Sequence, residues 1–138
     1  MSTSPPHHST DHPVLDHHST ARVATSSPSR YGRQLVDHMT RKIQAEWNDT
    51  TSTGRLAFDL DGPVTGVVDL TCEADTLVMA LSAAKDEQER LEQVVGSHLA
   101  RFGYRDGLAV SWTRQDGSAG TTQGPLSEED VERLSRRR

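Results

Sequence analysis

Residues Arg55–Leu70 read RLAFDLDGPVTGVVDL, and the way this stretch turns decides the fold. If a helix came after Asp61-Gly62, the run Leu56–Phe58 would belong to a parallel sheet, with Asp59 and Asp61 at its end. Instead the chain continues as VTGVVDL, a second β-prone run. An Asp-Gly pair between two apolar runs favours the positive-φ turn of a hairpin. The chain is therefore expected to build an antiparallel sheet, which DTLVMALSA (Asp75–Ala83) extends.

Upstream, ARVAT (Ala21–Thr25) is a short β-prone run. A first helix is expected from Pro28, with Ser27 as its cap, because proline is tolerated at the first helical position. Tyr31, Leu35, His38, Met39 and Lys42 recur at helical spacing, which carries this helix to about Ile43. Asn48–Gly54 (NDTTSTG) reads as a loop. Downstream, Asp86 and Glu89 have the spacing of a capping box. Leu91, Val94, Val95, His98, Leu99 and Phe102 form an apolar stripe, and Gly103 is placed for a left-handed C-terminal cap. LAVSWTR (Leu108–Arg114) alternates Leu108, Val110 and Trp112 on one face.

The order is β-α-β-β-β-α-β. The fold class expected is α+β: a two-layer, four- to five-stranded, mainly antiparallel sheet with two amphipathic helices on one face. A single domain would span residues 21–114. Residues 1–20 and 115–138 are rich in Ser, Thr, Pro, Gly and His or Gln and carry few large apolar side chains. They read as a disordered N-terminal tail and a flexible C-terminal tail. Within the latter, Ser127 and Asp130 could open a short helix.

Composition excludes several functions. The net charge is -5, and residues 21–114 hold 11 Lys/Arg against 13 Asp/Glu, so no basic surface for nucleic acid is expected. Cys72 is the sole cysteine, which removes disulfide frameworks and multi-cysteine metal sites. No apolar run approaches the roughly 20 residues of a membrane span, and the N-terminus has no signal pattern. A soluble, cytoplasmic protein is the expectation.

LVDHMTR (Leu35–Arg41) and VVGSHLARF (Val94–Phe102) share a pattern: apolar, two spacers, His, apolar, spacer, Arg. If the helices pack side by side, His38 and His98 can meet. Neutral imidazole is a common nitrogen ligand, so the two are candidate metal ligands, iron, zinc or copper being suited to it. The alternative is that both merely pack, hydrogen-bonded to backbone or to Asp37 or Glu46. Arg30 and Arg33 lie in the first turns of helix one, with Arg41 and Lys42 at its far end. Arg101 and Arg105 close helix two. Together they could hold a carboxylate, a phosphate or an anionic ferric chelate, although late cations also complement a helix dipole. Tyr31 joins Arg30, Arg41, Lys42, Arg101 and Arg105 as a candidate ligand contact.

Other chemistry fits less well. Leu56–Thr65 is similar to the first motif of haloacid-dehalogenase-type phosphatases, in which Asp59 would be nucleophile and Asp61 general acid beside magnesium. The β run after the motif argues against it. Ser97 and His98 are helix neighbours and face different ways. Cys72 lies in acidic CEAD, which does not favour a thiolate. His7, His8, His12, His17 and His18 could bind metal weakly in a flexible tail.

The stretches ARVAT…RYGRQLVDHMTRK, EADTLVMAL and VVGSHLARFGYRDGLAVSWTR closely resemble the bacterial domain of unknown function 2218 family. The likeness covers nearly all of residues 21–114. It matches the family pattern at Arg30, Tyr31, Leu35, His38, Lys42, His98, Arg101, Phe102 and Arg105. The resemblance implies a small bacterial protein associated with iron and siderophore use. A non-enzymatic accessory protein is thus expected, with a transition metal such as iron as candidate cofactor and a metal or anionic small molecule as partner. An interaction or structural module is the alternative, then a phosphatase.

Overall fold

The computed structural model describes residues 14–60 and 62–136. β1 (His17–Ala24) leads into α1 (Pro28–Met39), followed by β2 (Gln44–Asn48), β3 (Thr53–Phe58), β4 (Gly66–Glu73) and β5 (Thr76–Ala83). Then come α2 (Gln88–Phe102), β6 (Val110–Arg114), β7 (Ala119–Gln123) and α3 (Glu128–Arg136). The strands form one seven-stranded sheet in the order β2-β3-β4-β5-β1-β6-β7, and every neighbouring pair is antiparallel. The class is the expected α+β, but the sheet has seven strands rather than four or five.

The two extra strands arise in polar sequence. β2 turns only Ala45 and Trp47 inward, two residues in the short stretch between the expected helix end near Ile43 and the expected loop from Asn48. β7, in the expected flexible tail, is held by side-chain hydrogen bonds to Glu92 and Trp112 rather than by apolar weight. β1 likewise begins at His17, inside the expected N-terminal tail, because residues 17–20 pair with Ala83–Ala80 of β5. Residues 1–13 lie outside the described residues.

Alternation places one face of the sheet under both helices and leaves the other to solvent. On the covered face Ala21, Val23, Leu56, Phe58, Val68, Leu70, Leu77, Met79, Leu81, Val110 and Trp112 are buried. α1 lays Tyr31, Leu35, Val36 and Met39 on β2–β5, and α2 lays Leu91, Val95 and Leu99 on β5, β1, β6 and β7. The open face carries polar and small residues such as Thr20, Arg22, Asp69, Thr71 and Ala80. Its charges pair across strands, Arg22 with Glu73 at 2.5 Å and Arg55 with Asp69 at 2.8 Å.

Element ends depart from the expected local chemistry. α1 stops at Met39, and Arg41 and Lys42 form a turn before buried Ile43. Ser27 caps α1 by position, with Pro28 at the first turn but no side-chain bond. The expected capping box of Asp86 and Glu89 is absent: a 3-10 turn, Lys85–Glu87, precedes α2 and leaves Glu87 at its cap. Gly103 has φ −104°, and the left-handed residue is Gly107, φ 68°. Asp61, the expected hairpin tip, lies outside the described residues, but Phe58 does pair with Gly66 across the turn. At α3 the expected cap forms fully, with Ser127 and Asp130 exchanging backbone-to-side-chain bonds.

α2 is fastened to the far edge of the sheet by a buried polar network. The Glu92 carboxylate is wholly buried. It accepts from Ser19 Oγ at 2.5 Å, Arg114 Nε at 3.1 Å and Nη2 at 3.2 Å, and Thr121 N and Oγ1, both at 2.9 Å. Gln123 accepts from Trp112 Nε1 at 2.9 Å and donates to Thr121 Oγ1 at 2.8 Å. These bonds supply the specificity that the polar strand β7 lacks in apolar area. Gly96 is where Gln123 crosses α2: a Cβ there would sit 1.8 Å from Gln123 Oε1. Gly96→Ala is expected to displace Gln123 from Trp112 and cost about 1–3 kcal/mol, measured by denaturant unfolding. An unchanged midpoint would contradict this crossing.

Candidate functional site

α1 and α2 run in opposite senses. Tyr31 near the start of α1 reaches Asp106 beyond the end of α2, while His38, a residue before the end of α1, meets His98 and Phe102 in the last two turns of α2. The two imidazole centroids are 4.8 Å apart with planes tilted by 46°. Phe102 lies edge-on to both, at 5.3 Å from His38 and 6.3 Å from His98. The shared sequence pattern brings its histidines together, and Phe102, one turn after His98, completes a three-ring cluster. The i, i+4 spacing of His98 and Phe102 was the signal for this in the sequence.

His98 Nδ1 lies 2.7 Å from the Val94 carbonyl oxygen. A carbonyl only accepts, so Nδ1 carries the proton and the lone pair of a neutral ring is on Nε2. His38 is held below the usual histidine range, first by partial burial of its ring, then by the positive potential of His98, Arg41, Lys42 and Arg101. At neutral pH it is an uncharged ring with a lone pair. Neither Asp37 nor Glu46 binds either imidazole: Asp37 lies 3.9 Å from Arg33.

A His38 depressed in this way favours the fold in its neutral form. Its contribution is fully present above the unfolded histidine pKa of about 6.5 and is lost as pH falls through the lower folded value. His38→Gln is therefore expected to flatten the decline in stability between about pH 7 and pH 5, followed by urea unfolding at several pH values. An undiminished decline would show that acid sensitivity arises elsewhere.

The surroundings are cationic. Arg22, Arg30, Arg33, Arg55, Arg90, Arg114 and Arg133 each have a carboxylate partner. Among the described residues Arg41, Lys42 and Arg101, the three cations acting on His38, have none. In a chain of net charge -5, three cations without a carboxylate partner thus act on one imidazole. Helix dipoles explain why cations favour these helix ends; Lys85 and Arg105 also have no carboxylate partner among the described residues, but Arg105 is committed to Tyr104.

The other candidates lie apart. Tyr31 is buried in the core and its hydroxyl donates to Asp106, so burial and then Asp106 raise its pKa. Arg30 stacks on the Tyr31 ring at 4.6 Å and reaches Asp106 at 3.6 Å. Arg105 lies over Tyr104 at 5.5 Å, its Nε donating to the Tyr104 hydroxyl at 3.0 Å. Asp59 follows β3 in an antiparallel hairpin and accepts from Gln44 Nε2 at 3.1 Å. The parallel strand and following helix of the phosphatase motif are not there. Cys72 is half-buried, and burial raises its thiol pKa, which suppresses the thiolate.

The imidazole pair is an open surface patch. A hollow of about 660 Å³ lies at the β2–β4 end, lined by Trp47, Asp49, Arg55 and Asp69 among others, and neither histidine borders it. Among the described residues no group of three or more His, Cys, Asp or Glu side chains could hold a metal ion, so the protein itself offers two nitrogen ligands here. No helix among them is long and apolar enough to cross a membrane.

The sequence model of a bacterial family, described as "Uncharacterized protein conserved in bacteria" (DUF2218), matches residues 20–113. The chain belongs to this family. DUF2218 residues thus include the imidazole pair, Phe102, Arg41, Lys42 and Arg101, while β7 and α3 lie beyond the match. The NMR structure of PA4090 from Pseudomonas aeruginosa is similar, with a TM-score of 0.54 and 26% sequence identity. The alignment covers 73% of this chain and 97% of PA4090. No curated protein sequence is significantly similar.

Proposed function

We propose that this DUF2218 protein is a non-enzymatic accessory protein that binds an anionic ligand at the α1–α2 ridge. His38 and His98 face the ligand and Arg41, Lys42 and Arg101 supply its counter-charge. The observation that carries this reading is the coincidence of a 4.8 Å imidazole pair with three cations that have no carboxylate partner among the described residues. Desolvating ligand oxygens against guanidinium and ammonium groups gives charge-assisted hydrogen bonds, about twice as strong as neutral ones. The iron and siderophore association implied by the family makes ferric chelates the first physiological class to try. A cytoplasmic location goes with that reading.

An interaction module with packing histidines remains the rival. It draws little from the surface: Val14 and Leu60 are the large apolar side chains left exposed among the described residues. Two such side chains are few beside the several hundred Å² of contiguous apolar surface that protein interfaces usually offer.

The test is equilibrium binding of inorganic pyrophosphate and of ferric citrate to the full chain and to Arg41→Gln/Lys42→Gln/Arg101→Gln. Saturable binding of at least one probe is expected, weakened about tenfold or more in the triple variant at an unchanged melting temperature. Equal affinity in the variant, or no saturable binding of either probe, would remove the reading.

A further inference from the structure

We infer that the His38–His98 pair takes a transition metal only when it arrives inside an anionic complex, the two imidazoles filling two adjacent coordination positions. The inference rests on the anionic-ligand reading and names the ligand's class.

The first argument is geometric. Metal–nitrogen bonds of about 2.0–2.1 Å at an angle near the tetrahedral or octahedral value put two imidazole centroids roughly 5 Å apart. The observed separation is 4.8 Å. The ring most clearly oriented, His98, spends its Nδ1 proton on the Val94 carbonyl, as metal-bound histidines commonly do with their second nitrogen. His38 supplies the second ring at that separation.

The second argument is what the protein leaves out. No third His, Cys, Asp or Glu joins the pair among the described residues. A metal held here therefore keeps at least two positions for ligands from outside. The third argument is charge. A bare dication would approach Arg41, Lys42 and Arg101, none of them neutralised by a carboxylate among the described residues. A metal already wrapped in carboxylates or other anionic oxygens carries the opposite sign and meets the same three groups as partners. Net charge on the complex thus decides entry, and the open patch leaves room for the part of the chelate that faces solvent.

Nickel(II) nitrilotriacetate is a suitable probe, being a monoanion with two adjacent positions free. The host is the full chain with His7→Ala, His8→Ala and His12→Ala, which removes competing imidazoles from the segment before β1. Calorimetry would compare the nickel chelate, aqueous nickel(II) and inorganic pyrophosphate on this host. The same titrations are then run on its His38→Gln, His98→Gln and Arg41→Gln/Lys42→Gln/Arg101→Gln derivatives, each checked for an intact melting transition. The chelate should bind at least about tenfold more tightly than the aqueous ion. Either histidine substitution should weaken it by a similar factor. The triple variant, which keeps both imidazoles, should lose the preference for the chelate.

Aqueous nickel binding as tightly as the chelate, or chelate binding indifferent to both histidines, would overturn the inference. If pyrophosphate bound through the cations while no nickel species did, the inference would fall and the anionic-ligand reading would stand. If nothing bound, both would fall.

Discussion

Glu92→Ala is expected to destabilise the protein by about 3–5 kcal/mol, the cost of breaking a buried ion pair from one side. The substitution deletes a wholly buried carboxylate that accepts from three parts of the sheet. It leaves Ser19 Oγ, Thr121 N and Oγ1 and the Arg114 guanidinium without that acceptor. Such a loss is a large part of the roughly 5–15 kcal/mol available to a domain. Glu92→Gln, which keeps the shape and loses the charge, should cost less. Burial works to raise the Glu92 pKa, but hydrogen bonds from Arg114, Ser19 and Thr121 outweigh it and hold the carboxyl below its usual range. Its contribution is therefore present above the ordinary glutamate pKa and lost as pH falls through the depressed folded value. Acid unfolding below about pH 4 should be shallower in Glu92→Gln than in the parent. Urea titrations over that range would show it, and equal slopes would place the acid-sensitive group elsewhere.

Removal of residues 115–138 is expected to be nearly as damaging, although that stretch has few apolar residues. The truncated chain keeps Arg114 but loses Thr121, which gives two of the five donors to Glu92, and Gln123, the partner of the Trp112 indole. Hydrogen bonds to a charged group contribute about 1.5–3 kcal/mol each, and a buried group left unpaired costs its desolvation as well. β6 would become an edge strand, with buried Trp112 stripped of its cover on one side. The fragment is expected to lose cooperative thermal unfolding or to melt far below the full chain, as circular dichroism would reveal. A cooperative transition within a few degrees of the parent's would contradict the part assigned to β7. Binding studies accordingly require the full chain.

The contrast between β5 and β7 shows where sequence reading succeeded. Leu77, Met79 and Leu81 alternate in β5 and bury on one face, so apolar periodicity alone announced that strand. β7, Ala119–Gln123, has nothing of the kind: its inward residues are held by Glu92 and Trp112, 29 and 11 positions away. Long-range polar pairing leaves no local trace. One signal was available in Asp116-Gly117, where Gly117 takes φ 88° and Asp116 Oδ1 accepts from Ser118. This is the same Asp-Gly signal from which the sequence reading placed a turn at Asp61-Gly62.

The geometry of the candidate site was legible to a similar degree. The repeated His motif predicted two imidazoles on facing helices, and they stand 4.8 Å apart. The cations could not be sorted from the sequence. Arg30 and Arg105 share the helix-end setting of Arg41 and Arg101, yet Arg30 is committed to Tyr31 and Asp106, and Arg105 to Tyr104. Only the positions of the carboxylates and phenols in space make that distinction.

The most direct test of the proposed ligand site is the imidazole ¹H–¹⁵N correlation spectrum of the full chain, recorded as ferric citrate and, separately, pyrophosphate are added. In the free protein the neutral His98 ring should show a protonated Nδ1 and an unprotonated Nε2, as its bond to Val94 requires. On addition of the ligand that binds, the signals of His38 and His98 should shift or broaden together, with those of His17 and His18 unmoved. Signals of the paired rings that stay fixed while those of the other histidines respond would contradict a ligand site at His38 and His98.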